Sequence, residues 1–136
     1  MAYGTLQTDV INSSTGLFST NNAYSGIAKA WCQFTMGTSG TTITINGSFN
    51  ISSVTYVATG FMTASFTTAM TNSNYSVVGC GSVNQSTGDW TSFYAFAPNA
   101  APYYQAPTTS GFAMSFQRVG VGGQNPVYGN FVVLSN

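Results

Sequence analysis

Ala28-Lys29-Ala30-Trp31-Cys32-Gln33-Phe34-Thr35-Met36 alternates without a lapse. Ala28, Ala30, Cys32, Phe34 and Met36 fall on one side of an extended chain, and Lys29, Trp31, Gln33 and Thr35 on the other. Strand side chains point to opposite faces with a period of two, whereas a helix would scatter these residues around its circumference. The stretch therefore predicts a half-buried β-strand.

The flanking sequence is punctuated the same way. Residues 37–40 read as a turn, residues 42–45 as a strand with Ile43 and Ile45 inward, and Asn46-Gly47 as a break. Residues 49–58 and 61–66 flank a Thr59-Gly60 turn, and Met62, Ala64 and Phe66 share one side of the second run. After a polar connection at 67–74, strands are expected at 75–83 (weakened by Gly79 and Gly81), 90–96, 111–118 and 127–134. Residues 98–107 form the longest loop, and Gly120-Val121-Gly122-Gly123 is another, because neither a helical pattern nor a Lys-Ser/Thr pair follows it as a phosphate loop requires.

About eight strands, with turn signals roughly every ten residues and no helical period, predict an all-β chain. The expected fold is an antiparallel β-sandwich or jelly-roll-like domain over residues 26–136. It is preceded by a short extended segment, residues 1–25, assigned to attachment or assembly, in which residues 12–16 read as a turn.

Composition narrows the function. Of 136 residues, 43% are hydrophobic and 15% aromatic, enough for one core, but only 3% are charged, against about a quarter in ordinary soluble proteins. The charged residues are Asp9, Lys29, Asp89 and Arg118; Glu and His are absent. Seventeen Ser, nineteen Thr and twelve Asn supply a neutral polar surface. Zero net charge leaves little repulsion between copies, so the composition favours association. The dearth of Lys and Arg argues against a nucleic-acid partner and against anionic membranes. The opening Met-Ala-Tyr-Gly-Thr-Leu-Gln shows no signal-peptide pattern, and no run of about twenty apolar residues is present, so synthesis in the cytoplasm is expected.

The inventory for chemistry is thin. Proton transfer needs a placed titratable group, and the carboxylates are Asp9 and Asp89 alone. Without His, a nucleophilic Ser or Cys has no customary base, and metal binding loses its commonest ligands. A non-enzymatic protein with no cofactor and no metal site is expected. Cys32 and Cys80 read as small buried hydrophobes in preference to a disulfide pair.

The stretch 26–75 also resembles a module near the ends of bacteriophage and prophage tail-fibre-like proteins. The resemblance rests on Ala28-Lys29-Ala30-Trp31 with Phe34, then Ser48-Phe49-Asn50-Ile51-Ser52-Ser53-Val54, Thr59-Gly60, Phe66-Thr67-Thr68-Ala69-Met70 and Asn74-Tyr75. Gly4-Thr5-Leu6-Gln7-Thr8-Asp9 is loosely similar to the openings of short virion proteins. This implies a virion surface projection, a homotrimer assembled in the host cytoplasm alongside other virion proteins, with loops facing a host surface glycan. With few residues ahead of the module, the chain is similar to a short fibre tip or to a capsid decoration subunit cementing the head lattice. A secreted lectin-like carbohydrate-binding module is the further alternative. Asn46-Gly47 stands where the family carries a basic and an acidic residue, and Val57, Ala58 and Phe61 replace acidic residues around the Thr-Gly turn, which suggests a face packed against protein.

Candidate residues follow from both readings. Asp89, Trp90, Tyr94, Tyr103 and Tyr104 offer aromatic platforms and a hydrogen-bonding acid to a sugar. Trp31, Phe61, Leu6 and Val10 are the candidate subunit contacts.

Overall fold

The computed structural model describes residues 10–13, 16–19, 27–36, 40–82, 90–96, 105–118 and 122–135. Among them there is no helix. The strands are β1 (Val10–Ser13), β2 (Gly16–Ser19), β3 (Ala28–Met36), β4 (Ile43–Phe49), β5 (Ile51–Ala58), β6 (Phe61–Phe66), β7 (Tyr75–Ser82), β8 (Trp90–Ala95), β9 (Gly111–Arg118), β10 (Gly122–Gly123) and β11 (Tyr128–Ser135). The eight expected strands are present, joined by the β1–β2 hairpin and the short β10.

The body is an antiparallel β-sandwich. One sheet runs β4-β3-β11-β7 and the other β8-β9-β6-β5, with β10 added to β9. The two are continuous at one corner, where among the described residues β7 and β8 share the pairs Gly81↔Thr91 and Ser82↔Trp90. At the other corner the chain passes from β4 into β5 through Asn50. The hairpin closes on itself with Ser13 opposite Gly16, within the turn expected at 12–16, and forms a separate two-stranded sheet.

The β3 alternation is realised as read: Ala30, Cys32, Phe34 and Met36 are buried, and Trp31 and Gln33 are exposed. Two other expectations need correction. Asn46-Gly47 does not break the strand; β4 runs through it with a bulge, since Gln33 pairs with Gly47 and Phe34 with Ile45, leaving Asn46 unpaired. Residues 49–58 are not one strand either. Asn50, at φ 54°, turns the chain into the left-handed region, so Phe49 ends β4 and Ile51 opens β5. Asparagine is among the few residues other than glycine that enter this region readily.

Glycines read as weakening β7 prove to shape the core. Phe34, Gly129 and Gly81 stand in one cross-strand row of the first sheet. A methyl group on Gly129 would collide with the Phe34 ring, and one on Gly81 would lie 2.6 Å from the ring of Phe116, which belongs to the second sheet. Two aromatic side chains thus lie on a floor of bare backbone and meet edge to face, with centroids 6.1 Å apart. Phe112 and Phe131 make an equivalent contact at 5.2 Å and 86°. Phe34, Phe112, Phe116, Phe131, Met62 and Met114 are all fully buried. The last glycine run also departs from the loop expected there: Gly122 and Gly123 pair with Arg118 and Gln117 and extend the second sheet.

Overpacking this floor is costly. Gly129→Ala is expected to lower stability by about 3 kcal/mol, and adding Phe34→Leu to recover part of that loss, because side chains in contact do not act additively. Urea midpoints of the two single variants, the double variant and the parent check it; simple addition of the two losses would count against the ring-on-backbone contact.

Candidate functional site

The outward faces of the two sheets differ. On the first sheet the register sets Trp31 opposite both Phe49 and Val132, and Val132 opposite Val78. Phe49, Trp31, Val132 and Val78 therefore cross all four strands in a single row, about 15 Å long at the usual strand spacing. Each is exposed, from 39% for Val132 to 65% for Val78. Leu134 adds to the row from the same side of β11. The Trp31 indole leans over Gly47, where a side-chain carbon would lie 3.4 Å from the ring. A scattered exposed valine is ordinary, but four large apolar residues in register make a patch of the kind that marks an interaction surface.

The patch continues around the corner into an open groove of about 280 Å³, lined by Ile27, Phe49, Asn50, Met70 and their neighbours. Asn50 builds this corner. Its side-chain amide donates to the carbonyls of Lys29 (3.2 Å) and Thr68 (3.1 Å), and its side-chain oxygen accepts from the Thr68 amide at 2.7 Å. The Thr67 amide donates to the Asn50 carbonyl at 3.2 Å. One residue thus ties the start of β3, the end of β4 and the segment after β6. Ala28 and Lys29, Phe49 and Asn50, and Thr68 to Met70, from three of the five stretches quoted for the resemblance, meet here.

Beside the apolar row lies a polar one, Gln33, Asn130 and Cys80. Cys80 is exposed, contrary to its reading as a buried hydrophobe, and its thiol donates to the Asn130 side-chain oxygen at 3.2 Å. Cys32 is buried, and both cysteines are free. They point to opposite faces of the sheet with β11 between them, which precludes a bond. Burial pushes the Cys32 thiol up to about 11 and the Tyr75 phenol up to about 12. The Tyr75 hydroxyl donates to the carbonyls of Thr108 (3.0 Å) and Gly111 (2.8 Å), pinning β7 against the turn before β9. Neither group is poised for chemistry near neutral pH. Among the described residues no three His, Cys, Asp or Glu side chains come together to hold a metal ion.

The candidate residues that are described lie on several strands. Trp31 lies in the apolar row. Phe61 and Tyr94 stand on the outer side of the opposite sheet, flanking buried Ser115 in one row, with Tyr94 41% exposed. Trp90 opens β8, its backbone paired with Ser82, and Val10 opens β1 opposite Ser19. Leu6, Asp89, Tyr103 and Tyr104 lie outside the described residues. Sequence reading missed Phe49, Val78 and Val132. Their signal was present in Val77-Val78 and in Phe131-Val132-Val133-Leu134, where both faces of a strand are apolar, but such a run reads equally as a strand buried on both sides. Comparison with protein-family models, with curated proteins and with solved structures finds no match.

Two outcomes are expected. Asn50→Gly keeps the backbone free to turn but loses the side-chain bonds, at about 1 kcal/mol for each net bond, and Asn50→Ala loses about 1 kcal/mol more because it also resists the left-handed turn. Thermal midpoints of the two variants in that order check the assignment. The second concerns pH. Burial keeps Cys32 and Tyr75 neutral in the fold, whereas in the unfolded chain they ionise near their ordinary values of 9.0 and 10.0. The unfolded state then binds fewer protons, so stability present below about pH 9 falls as pH rises through about 12, by at most 2 to 3 kcal/mol per group. Denaturant midpoints from pH 8 to 12 measure this, with Cys32→Ala expected to flatten the early part of the fall.

Proposed function

We propose that this chain is a non-enzymatic structural subunit of a bacteriophage surface, a trimeric projection of tail-fibre type that contacts other virion proteins and presents loops to a host surface glycan. The observation that carries the reading is the exposed apolar row on an almost uncharged sheet. Covering Phe49, Trp31, Val132 and Val78 with protein removes apolar area from water, a gain of about 25 cal/mol per Å² before the cost of ordering. Most surfaces offset such a gain by stripping water from charged groups. Here the face is built from Ser, Thr, Asn, Gln and apolar side chains, with Lys29 at its margin. Copies of the chain meet there without like-charge repulsion.

The resemblance to tail-fibre modules supplies the virion setting, and the meeting of three of its stretches around Asn50 supports reading those three as one architectural unit. Work done by shape and contact fits an inventory with two carboxylates and no histidine.

Light scattering of the purified full chain at micromolar concentration is expected to give three times the 14.2 kDa chain mass. Trp31→Ser is expected to shift the species to a monomer with an unchanged circular dichroism spectrum. A parent chain that stays monomeric over that range would sink the reading.

A further inference from the structure

Asn46-Gly47 is the sole Asn-Gly pair in the chain. An asparagine side-chain amide and the backbone nitrogen of the next residue can close a five-membered ring. A glycine in that next position has no side chain to block the approach and leaves the backbone free to turn into it. A regular ladder would hold the two groups apart, but here Gly47 pairs with Gln33 and Ile45 with Phe34, so Asn46 has no ladder partner on β3. Among the described residues β4 ends the first sheet, and no strand pairs with it on the other side. Asn46 is exposed, and no hydrogen bond among the described residues holds its side-chain amide. By contrast, the side-chain amide of Asn50 makes three such bonds and that of Asn125 two. The register sets Gly47 at the end of the polar row of Gln33, Asn130 and Cys80, beside the apolar row, and the Trp31 indole leans over it.

We propose that Asn46-Gly47 is a self-modification site, at which the chain converts its own asparagine to an acid and so places a carboxylate at the margin of the apolar face, weakening the contact between copies. The Gly47 nitrogen gives its proton to solvent and bonds to Asn46 Cγ; the bond from Cγ to Nδ2 breaks, and the amide nitrogen leaves as ammonia with a proton from water. Water then opens the succinimide. Cleavage between Cγ and the Gly47 nitrogen gives aspartate, and cleavage between the Asn46 backbone carbonyl carbon and that nitrogen gives isoaspartate; neither step is a redox step and neither needs a catalytic side chain. Formal net charge passes from 0 to −1 in a chain with four charged residues. Lys29 stands four residues from Gln33 along β3, roughly 13 Å, which exceeds the Debye length of about 8 Å at physiological ionic strength, so the new charge is left without a close counter-charge from it. Packing protein against this margin would then require a carboxylate to lose water. The effect on association rests on the self-association argued above; the ring closure does not.

The full chain, held folded in mildly alkaline buffer at body temperature, is expected to gain about one dalton over days, with the gain mapped by peptide mass to Asn46 and both aspartate and isoaspartate present there. Gly47→Ala is expected to slow the conversion by at least about tenfold, since the added methyl hinders ring closure. That methyl would meet the Trp31 ring at 3.4 Å, an ordinary contact, so the variant keeps the fold. Asn46→Gln, whose ring would need a sixth member, is expected to abolish the gain at this position. Conversion at Asn46 no faster than at the other asparagines, or unchanged by Gly47→Ala, overturns the site. For the consequence, Asn46→Asp is expected to raise the concentration at which the trimer dissociates by at least about threefold in low salt, and Asn46→Gln to leave it unchanged. A trimer that Asn46→Asp leaves equally tight overturns the link to association, with the self-association reading intact. A parent chain that is monomeric by light scattering removes that reading and the link together, while the mass gain still decides the modification.

Discussion

Aromatic rings lie directly on glycine backbone where the two sheets face each other. Phe34 covers Gly129 within the first sheet, and Phe116 reaches across from the second to cover Gly81. Rings of this size normally hold sheets about 10 Å apart, with side chains from both faces filling the gap. A row without side chains leaves room for the rings to lie against backbone and meet edge to face, between β3, β11 and β7. The register thus stabilised is also what places Trp31, Val132 and Val78 side by side on the other surface, since every side chain that is not inward on those strands is outward in the same row order.

A surface with so few charges must protect its sheet edges by other means. Natural sheets commonly guard their edges with lysine or inward-pointing charge. In this protein β4 and β5 end the two sheets, and both are bulged: β4 at Asn46, and β5 between Ile51 and Ser53 and again between Tyr56 and Ala58. Bulges twist a strand and interrupt its ladder, which hinders edge-to-edge stacking without charge. The sheet face, by contrast, carries the exposed apolar row of Phe49, Trp31, Val132 and Val78. The groups that titrate within the core, Cys32 and Tyr75, are held neutral by burial, so they lend the fold no pH sensitivity near neutrality.

Much of the architecture was legible in the sequence because its signals are local. The alternation from Ala28 to Met36, the inward set Met62, Ala64 and Phe66, and the Thr59-Gly60 turn each depend on residues within one strand or hairpin. The Asn46 bulge and the Asn50 corner were less accessible. Asn46-Gly47 has the composition of a turn, and only pairing with Gln33 and Phe34 makes it a bulge; Asn50 acts through Lys29 and Thr68, which lie far from it along the chain.

The candidate surface divides in the same way. By itself the sequence determined an all-β class, a single well-supplied core, the near absence of charge and the outward orientation of Trp31, because period-two alternation and residue chemistry act within a few positions. Only the tertiary structure decided that Phe49, Val132 and Val78 join Trp31 in one row. Cross-strand neighbours are chosen by packing between segments from opposite ends of the chain, and no local period records which strand will lie beside which.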